Sequence, residues 1–215
     1  MNDDETVDMR THNKLATREA ISTAALRLAV ERGPEGLALV RVRDIADAAG
    51  VSPRTYNNYF SSREEAICAI ESDRARHLGK ALLSRPSGEP LGQAITAAVL
   101  DHYGTAEPDK VGLRMIMCTA ALEGEALKAF TTAEEPLATA IAERLGADPE
   151  RDLFPKVMAA TVAGAVRVAA RHWLTPGNTE SFAAVLRQAL DHVLPPGEPS
   201  ASRGSGGGPA AYGEV

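Results

Sequence analysis

GVSPRTYNNYFSSREE, residues 50–65, packs one proline, two arginines, two adjacent asparagines and two tyrosines into an element too short to be a domain. Upstream of it, Val42, Ile45, Ala46 and Ala49 form one apolar face of a short helix. Gly50 follows where the chain must turn tightly, and glycine tolerates positive φ there. Val51 packs inward, Ser52 is a good N-cap, and Pro53 suits the first helical position, where its missing N–H costs nothing. Residues 42–60 therefore read as helix, glycine turn, helix. Ala46 fits the crossing, because two closely packed helices leave little room for a larger side chain.

On a wheel of about 100° per residue, Tyr56 and Phe60 fall together with Tyr59 at their edge, which defines the buried side. Arg54, Thr55, Asn57 and Asn58 fill the opposite arc. A merely solvated helix face usually carries Glu and Lys, and Asn and Thr are poor helix formers, so local propensity does not explain them. Base edges do: Arg matches guanine, Asn matches adenine, and the Thr methyl meets thymine. Tyr59 can offer its hydroxyl to a phosphate while its ring packs inward. Ser61 and Ser62 open the next helix, with Glu64 and Glu65 completing either of two capping boxes. Arg63 in that first turn is placed for a phosphate contact. The stretch reads as a helix-turn-helix with its recognition helix, half core and half DNA-reading surface. The alternative is a small helical hairpin with a solvated polar face.

At this point the sequence resembles the TetR family of bacterial transcriptional regulators. The resemblance is carried by "REAISTAALRLAVERG", "VRVRDIADAAGVS" and "TYNNYFSSREEAI", all within residues 14–66. The family typically shows Thr, an apolar residue, an aromatic, any residue, His or Tyr, then Phe; here these are Thr55, Tyr56, Asn57, Asn58, Tyr59 and Phe60. Asn57 replaces the usual aromatic, which implies hydrogen-bonded readout there. The resemblance implies a base or phosphate contact from Arg43, contacts from Thr55 and Tyr59, and a phosphate clamp from Arg63; with Ser52, Arg54, Asn57 and Asn58 these make the candidate DNA-binding set. The chain is also similar to actinobacterial members near the mycofactocin-type regulators, and its excess of Arg over Lys suits a GC-rich genome.

The net charge of -6 argues at first against a nucleic-acid partner. Its distribution argues otherwise. Residues 1–9 carry four acids and no base, residues 41–63 are net +2, and residues 91–194 are net -4. The N-terminus is too polar for a secretory signal, and the longest apolar runs are interrupted short of the roughly 20 residues of a membrane span. This predicts a cytoplasmic protein. Cys68 and Cys118 make neither a disulfide framework nor a zinc site; they read as two reduced thiols, with thiol sensing as the alternative.

Weak strand signals and Ala- and Leu-rich runs at three-to-four spacing predict an all-α fold. Helices are predicted near 17–32, 43–49, 53–59, 63–83, 91–105, 109–119, 121–146, 152–174 and 179–193. The organisation expected is a disordered arm over 1–13, a three-helix DNA-binding domain over 14–62, a helical effector-binding and dimerisation domain over 63–194, and a disordered Pro/Gly/Ser-rich tail over 195–215. By resemblance, the last two long helices build a four-helix homodimer interface, and the helices before them enclose a small-molecule pocket. Candidate lining residues are His102, Tyr103, Met115, Cys118, Leu122, Phe130 and Trp173, whose apolar character would favour an apolar or aromatic effector. The partners expected are a double-stranded DNA operator, an unknown small molecule and a second copy, with no cofactor, metal or membrane.

The histidines are scattered, and no HExxH, GxSxG, GxGxxG or P-loop spacing occurs. Acid pairs such as Glu123/Glu125 and Glu134/Glu135 read as solvated faces, so no enzyme is predicted. The competing reading is an all-α small-molecule-binding protein or enzyme without sequence-specific DNA binding.

Overall fold

A computed structural model describes residues 3–103, 107–132 and 134–194, with side chains throughout these except in 3–12 and 71–76. The expected tail over 195–215 lies outside the described residues. Among the described residues the fold is all-α, with ten helices and no strand: α1 (Asp3–Gly36), α2 (Val42–Ala48), α3 (Pro53–Asn57), α4 (Arg63–Leu83), α5 (Leu91–Tyr103), α6 (Lys110–Cys118), α7 (Glu123–Thr132), α8 (Glu134–Leu145), α9 (Leu153–Trp173) and α10 (Phe182–Val193).

Two buried clusters organise these helices. The first gathers Ile21, Ala25 and Ala29 of α1, Ile45 and Ala46 of α2, Tyr56 of α3, Phe60, and Ala66–Ala69 of α4. The second gathers Leu78 and Leu82 of α4 with the inner faces of α5, α8, α9 and α10. α4 thus serves both clusters: its 21 residues span about 30 Å at the usual rise. The first cluster is completed by Met115 and Ile116 of α6, Leu122, and Ala126 and Ala129 of α7. The expected boundary at 62/63 falls just ahead of α4, whose first two turns pack in the N-terminal core.

Three helix limits differ from the sequence expectation. α1 begins at Asp3, not near Thr17, so residues 3–13 are helical and not a disordered arm. No Gly or Pro interrupts the chain before Gly33, and acids near a helix start favour its dipole. Thr17 is not a cap: its hydroxyl donates back to the Asn13 carbonyl at 2.8 Å. The predicted stop holds, because Gly33 leaves helical geometry at φ 70, ψ 170 ahead of Pro34.

The helix predicted over 121–146 is interrupted. A 3-10 turn at Ala120–Leu122 leads into α7, and α8 starts at Glu134. Pro136 stands in the first turn of α8, where it needs no N–H but would clash with a helix continuing from α7. α3, finally, is regular only to Asn57, although Tyr59 and Phe60 still donate their amides to the Tyr56 carbonyl at 2.9 and 3.0 Å.

α9 is long and apolar enough in composition to cross a membrane, because Ala, Gly and Val sustain its apolar character around scattered charges, but no uninterrupted apolar run reaches that length. In this fold it is a packed helix, burying Ala159, Val162, Val166, Ala169 and Trp173 and exposing Lys156 and Arg171.

Candidate nucleic-acid interface

The turn between α2 and α3 is built as the residues require. Gly50 has φ 69, with open space where a Cβ would stand, so backbone conformation and not crowding demands glycine. The Val51 amide donates to the Ala46 carbonyl at 2.9 Å, and Ala46 is fully buried at the crossing. Ser52 Oγ accepts the Thr55 amide at 3.0 Å, capping α3 behind Pro53.

Two aromatic rings anchor the recognition helix. Tyr56 is fully buried, its ring 5.8 Å from that of Phe60, and its hydroxyl donates to the Ser62 carbonyl at 2.8 Å. Burial, reinforced by the nearby Glu65 and Glu64 charges, pushes its phenol up to about 12. The Arg18 guanidinium lies 4.4 Å from the centre of the Phe60 ring and donates to the Tyr59 carbonyl at 3.2 Å. Arg18 thereby ties α1 to the end of the recognition element. Sequence reasoning missed it, although a base spaced three and seven residues from Ile21 and Ala25 lies on the buried face of α1, which was a usable signal.

Behind this element, Ser62 Oγ accepts the Glu65 amide at 3.0 Å, while the Glu65 carboxylate accepts the Ser61 amide and hydroxyl at 2.8 and 2.6 Å. Burial pushes the Glu65 carboxyl up, but the Ser61 hydrogen bonds together with the Lys128 and Arg18 charges hold the group below the usual carboxylate range. Neither expected capping box closes: Ser62 caps the Glu65 amide, but the Glu65 carboxylate reaches back to Ser61 and not to the Ser62 amide.

The candidate contacts separate into three groups. Arg43, Arg54, Asn57 and Asn58 are exposed, and the Arg43 side chain is 83% accessible with only a loose 3.9 Å approach to Asp47. Ser52, Thr55 and Tyr59 lie at the margin: the Ser52 and Thr55 hydroxyls bond each other at 2.8 Å, and Tyr59 is half-buried. Arg63, the expected phosphate clamp, is engaged within the chain. Its Nε donates to Glu64 at 2.6 Å, and Nη1 donates to the Ala38 and Val40 carbonyls at 3.0 and 3.2 Å. It fastens α4 to the turn before α2.

The seven candidate effector residues do not line one cavity among the described residues. Tyr103, Phe130 and Trp173 belong to the C-terminal core, whereas Met115 and Leu122 belong to the N-terminal core. Cys118 is exposed, and Cys68 is buried. His102 is half-buried, edge-on to Tyr103 at 4.9 Å. Trp173 donates Nε1–H to the Glu180 carbonyl at 3.0 Å and packs 5.3 Å from Phe182.

Comparison with known proteins agrees with this arrangement. A family model described as bacterial regulatory proteins of the tetR family matches residues 21–67, and one described as the MftR C-terminal domain matches residues 89–197. The HTH-type transcriptional regulator TcmR of Streptomyces glaucescens is 31% identical over 191 residues, covering 83% of each chain. MftR of Mycobacterium tuberculosis, named for mycofactocin biosynthesis, is 28% identical over 181 residues, covering 82% of this chain and 89% of its own. Among solved structures, the TetR-family repressor FadR of Thermus thermophilus, crystallised with lauroyl-CoA, superposes with a TM-score of 0.53 at 24% identity over 88% of this chain and 100% of its own. FadR of Bacillus halodurans gives 0.54 at 15% identity, covering 87% and 96%. With the helix-turn-helix in place and both halves matched, this chain belongs to the TetR family of transcriptional regulators.

Proposed function

We propose that this regulator is a homodimeric repressor that holds a palindromic DNA operator and releases it when a small molecule binds its C-terminal helices. The observation that carries the reading is the exposed Arg54, Asn57 and Asn58 face on an element pinned from behind by Tyr56 and Phe60. Such a face can enter a major groove without losing its anchors. Arg43 from α2 would position the element on a phosphate or base, and Ser52, Thr55 and Tyr59 would add contacts at its margin. In this reading residues 14–62 read DNA, residues 63–194 bind effector and dimerise, and the protein acts in the cytoplasm.

The homodimer is supported by α9. Leu153, Val157 and Val168 are all more than half exposed, and Val168 continues into an apolar cleft between α9 and α10 that holds Gly164, Ala165 and Ala189. A two-fold axis would pair these surfaces and place two recognition elements on one face of the duplex. The lauroyl-CoA bound to Thermus thermophilus FadR supports a small-molecule trigger in kind. Of the proposed lining residues, Tyr103, Phe130 and Trp173 share one core and are the best placed to act together.

Selection of bound fragments from the source genome, followed by footprinting, tests the reading. It predicts one protected palindrome with two subunits per site, from which a small-molecule screen can release the protein. Tight binding of a small molecule or catalytic turnover, without any enriched DNA sequence, would favour the competing reading.

A further inference from the structure

Between the end of α6, the 3-10 turn after it and the α9–α10 connection lies a cleft of about 510 Å³. Arg114 of α6 and Arg171 in the last turn of α9 both line it, and Glu123 is the single acid in its described lining. Arg114 donates to the Leu174 carbonyl at 3.1 Å, a neutral acceptor. Among the described residues neither guanidinium forms an ion pair. The cleft therefore presents two guanidinium groups with no carboxylate paired to them, and guanidinium forks match a carboxylate bidentately.

The cleft is not purely polar: Met117 and Leu174 are buried within its wall, and Pro176 stands at its edge. A bare inorganic anion would leave that apolar wall unused.

We propose that this cleft binds a small organic carboxylate with an apolar body, its carboxylate held by Arg114 and Arg171 and its body laid on Met117 and Leu174. The site is separate from the DNA-reading face and from the Tyr103, Phe130 and Trp173 core. Carboxylate binding there rests on no property of the operator complex, so its absence would leave the regulator reading standing, and the converse holds too.

The full-length protein is titrated with hexanoate, with the neutral isostere hexanamide and with inorganic phosphate, followed by calorimetry. Saturable hexanoate binding is expected, with hexanamide and phosphate each weaker by about tenfold or more. Arg171→Gln should weaken hexanoate by about tenfold or more without lowering the melting temperature, and Arg171→Lys should retain part of the affinity, keeping the charge but not the fork. Absence of saturable hexanoate binding, equal binding of hexanamide or phosphate, or undiminished binding by Arg171→Gln would each overturn the proposal.

Discussion

Single residues divide here into those that hold the recognition element and those left exposed for the proposed DNA contacts, and the division can be measured. Arg54→Ala removes an exposed group, so it should cost operator affinity by about 1–3 kcal/mol while leaving the melting temperature unchanged. Arg63→Ala should do the reverse: losing donors to Ala38 and Val40 lowers the melting temperature by an amount equivalent to about 1–3 kcal/mol. Equal melting temperatures for the two variants would contradict this division. Gly50→Ala forces an L-residue to φ 69 and should destabilise by about 1–2 kcal/mol, read by denaturant unfolding. The pH dependence carries opposite signs at its two ends. Glu65, held below the usual carboxylate range, contributes stability above that range, and the contribution is lost as pH falls through its depressed value. Glu65→Gln should flatten that acid limb. Tyr56, raised to about 12, contributes fully below its ordinary value near 10 and loses the contribution as pH climbs toward 12. Tyr56→Phe should remove the alkaline loss specific to this group. The cap, the turn glycine and the buried aromatic pair were legible in the sequence because each depends on neighbours within a few residues. The role of Arg63 was not, because its acceptors lie 23 and 25 positions away and carbonyls leave no mark in side-chain spelling.

Elements show where periodicity stops being informative. α4, α5, α6, α9 and α10 lie close to their predicted spans because apolar spacing and Gly or Pro punctuation agree there. The α7–α8 break was hidden because Pro136 falls within a helix's first turn, where it reads as a start and not a stop only once the preceding turn is seen to end. Helicity from Asp3 was hidden for the opposite reason: an acidic, polar run looks like a solvated arm, although nothing in it forbids helix. The approach of α4 to α8 is tighter than spacing alone could indicate. A Cβ at Gly79 would stand 2.8 Å from the Pro136 carbonyl oxygen, which is backbone and cannot swing aside. Gly79→Ala should therefore destabilise by about 1–3 kcal/mol despite its gain in helix propensity, read by thermal unfolding. A stabilised variant would show that these helices slide apart freely.

The whole molecule joins a locally encoded DNA-reading unit to a helical body whose surfaces depend on tertiary packing. This difference explains why the helix-turn-helix was legible in sequence while the placement of the candidate effector residues was not. Met115 and Leu122 have the composition of a pocket wall, yet α6 and the turn after it carry them into the N-terminal core, where they link the C-terminal helices to α1 and α4. At this scale the exposed α9 stripe predicts that Val168→Arg converts the dimer to monomer in sedimentation velocity and sharply weakens operator binding, with the helical circular dichroism retained. Wild-type and variant sedimenting alike would remove α9 from the interface. The central claim, that the Arg54, Asn57 and Asn58 face reads sequence as part of a dimer, is tested most directly by fluorescence anisotropy on the selected operator and on a shuffled duplex of the same length and composition, across a salt series. The account predicts a complex of two subunits that prefers the operator at every salt concentration, with Arg54→Ala lowering that preference. Equal affinity for the two duplexes, falling together with added salt and indifferent to Arg54→Ala, would contradict it.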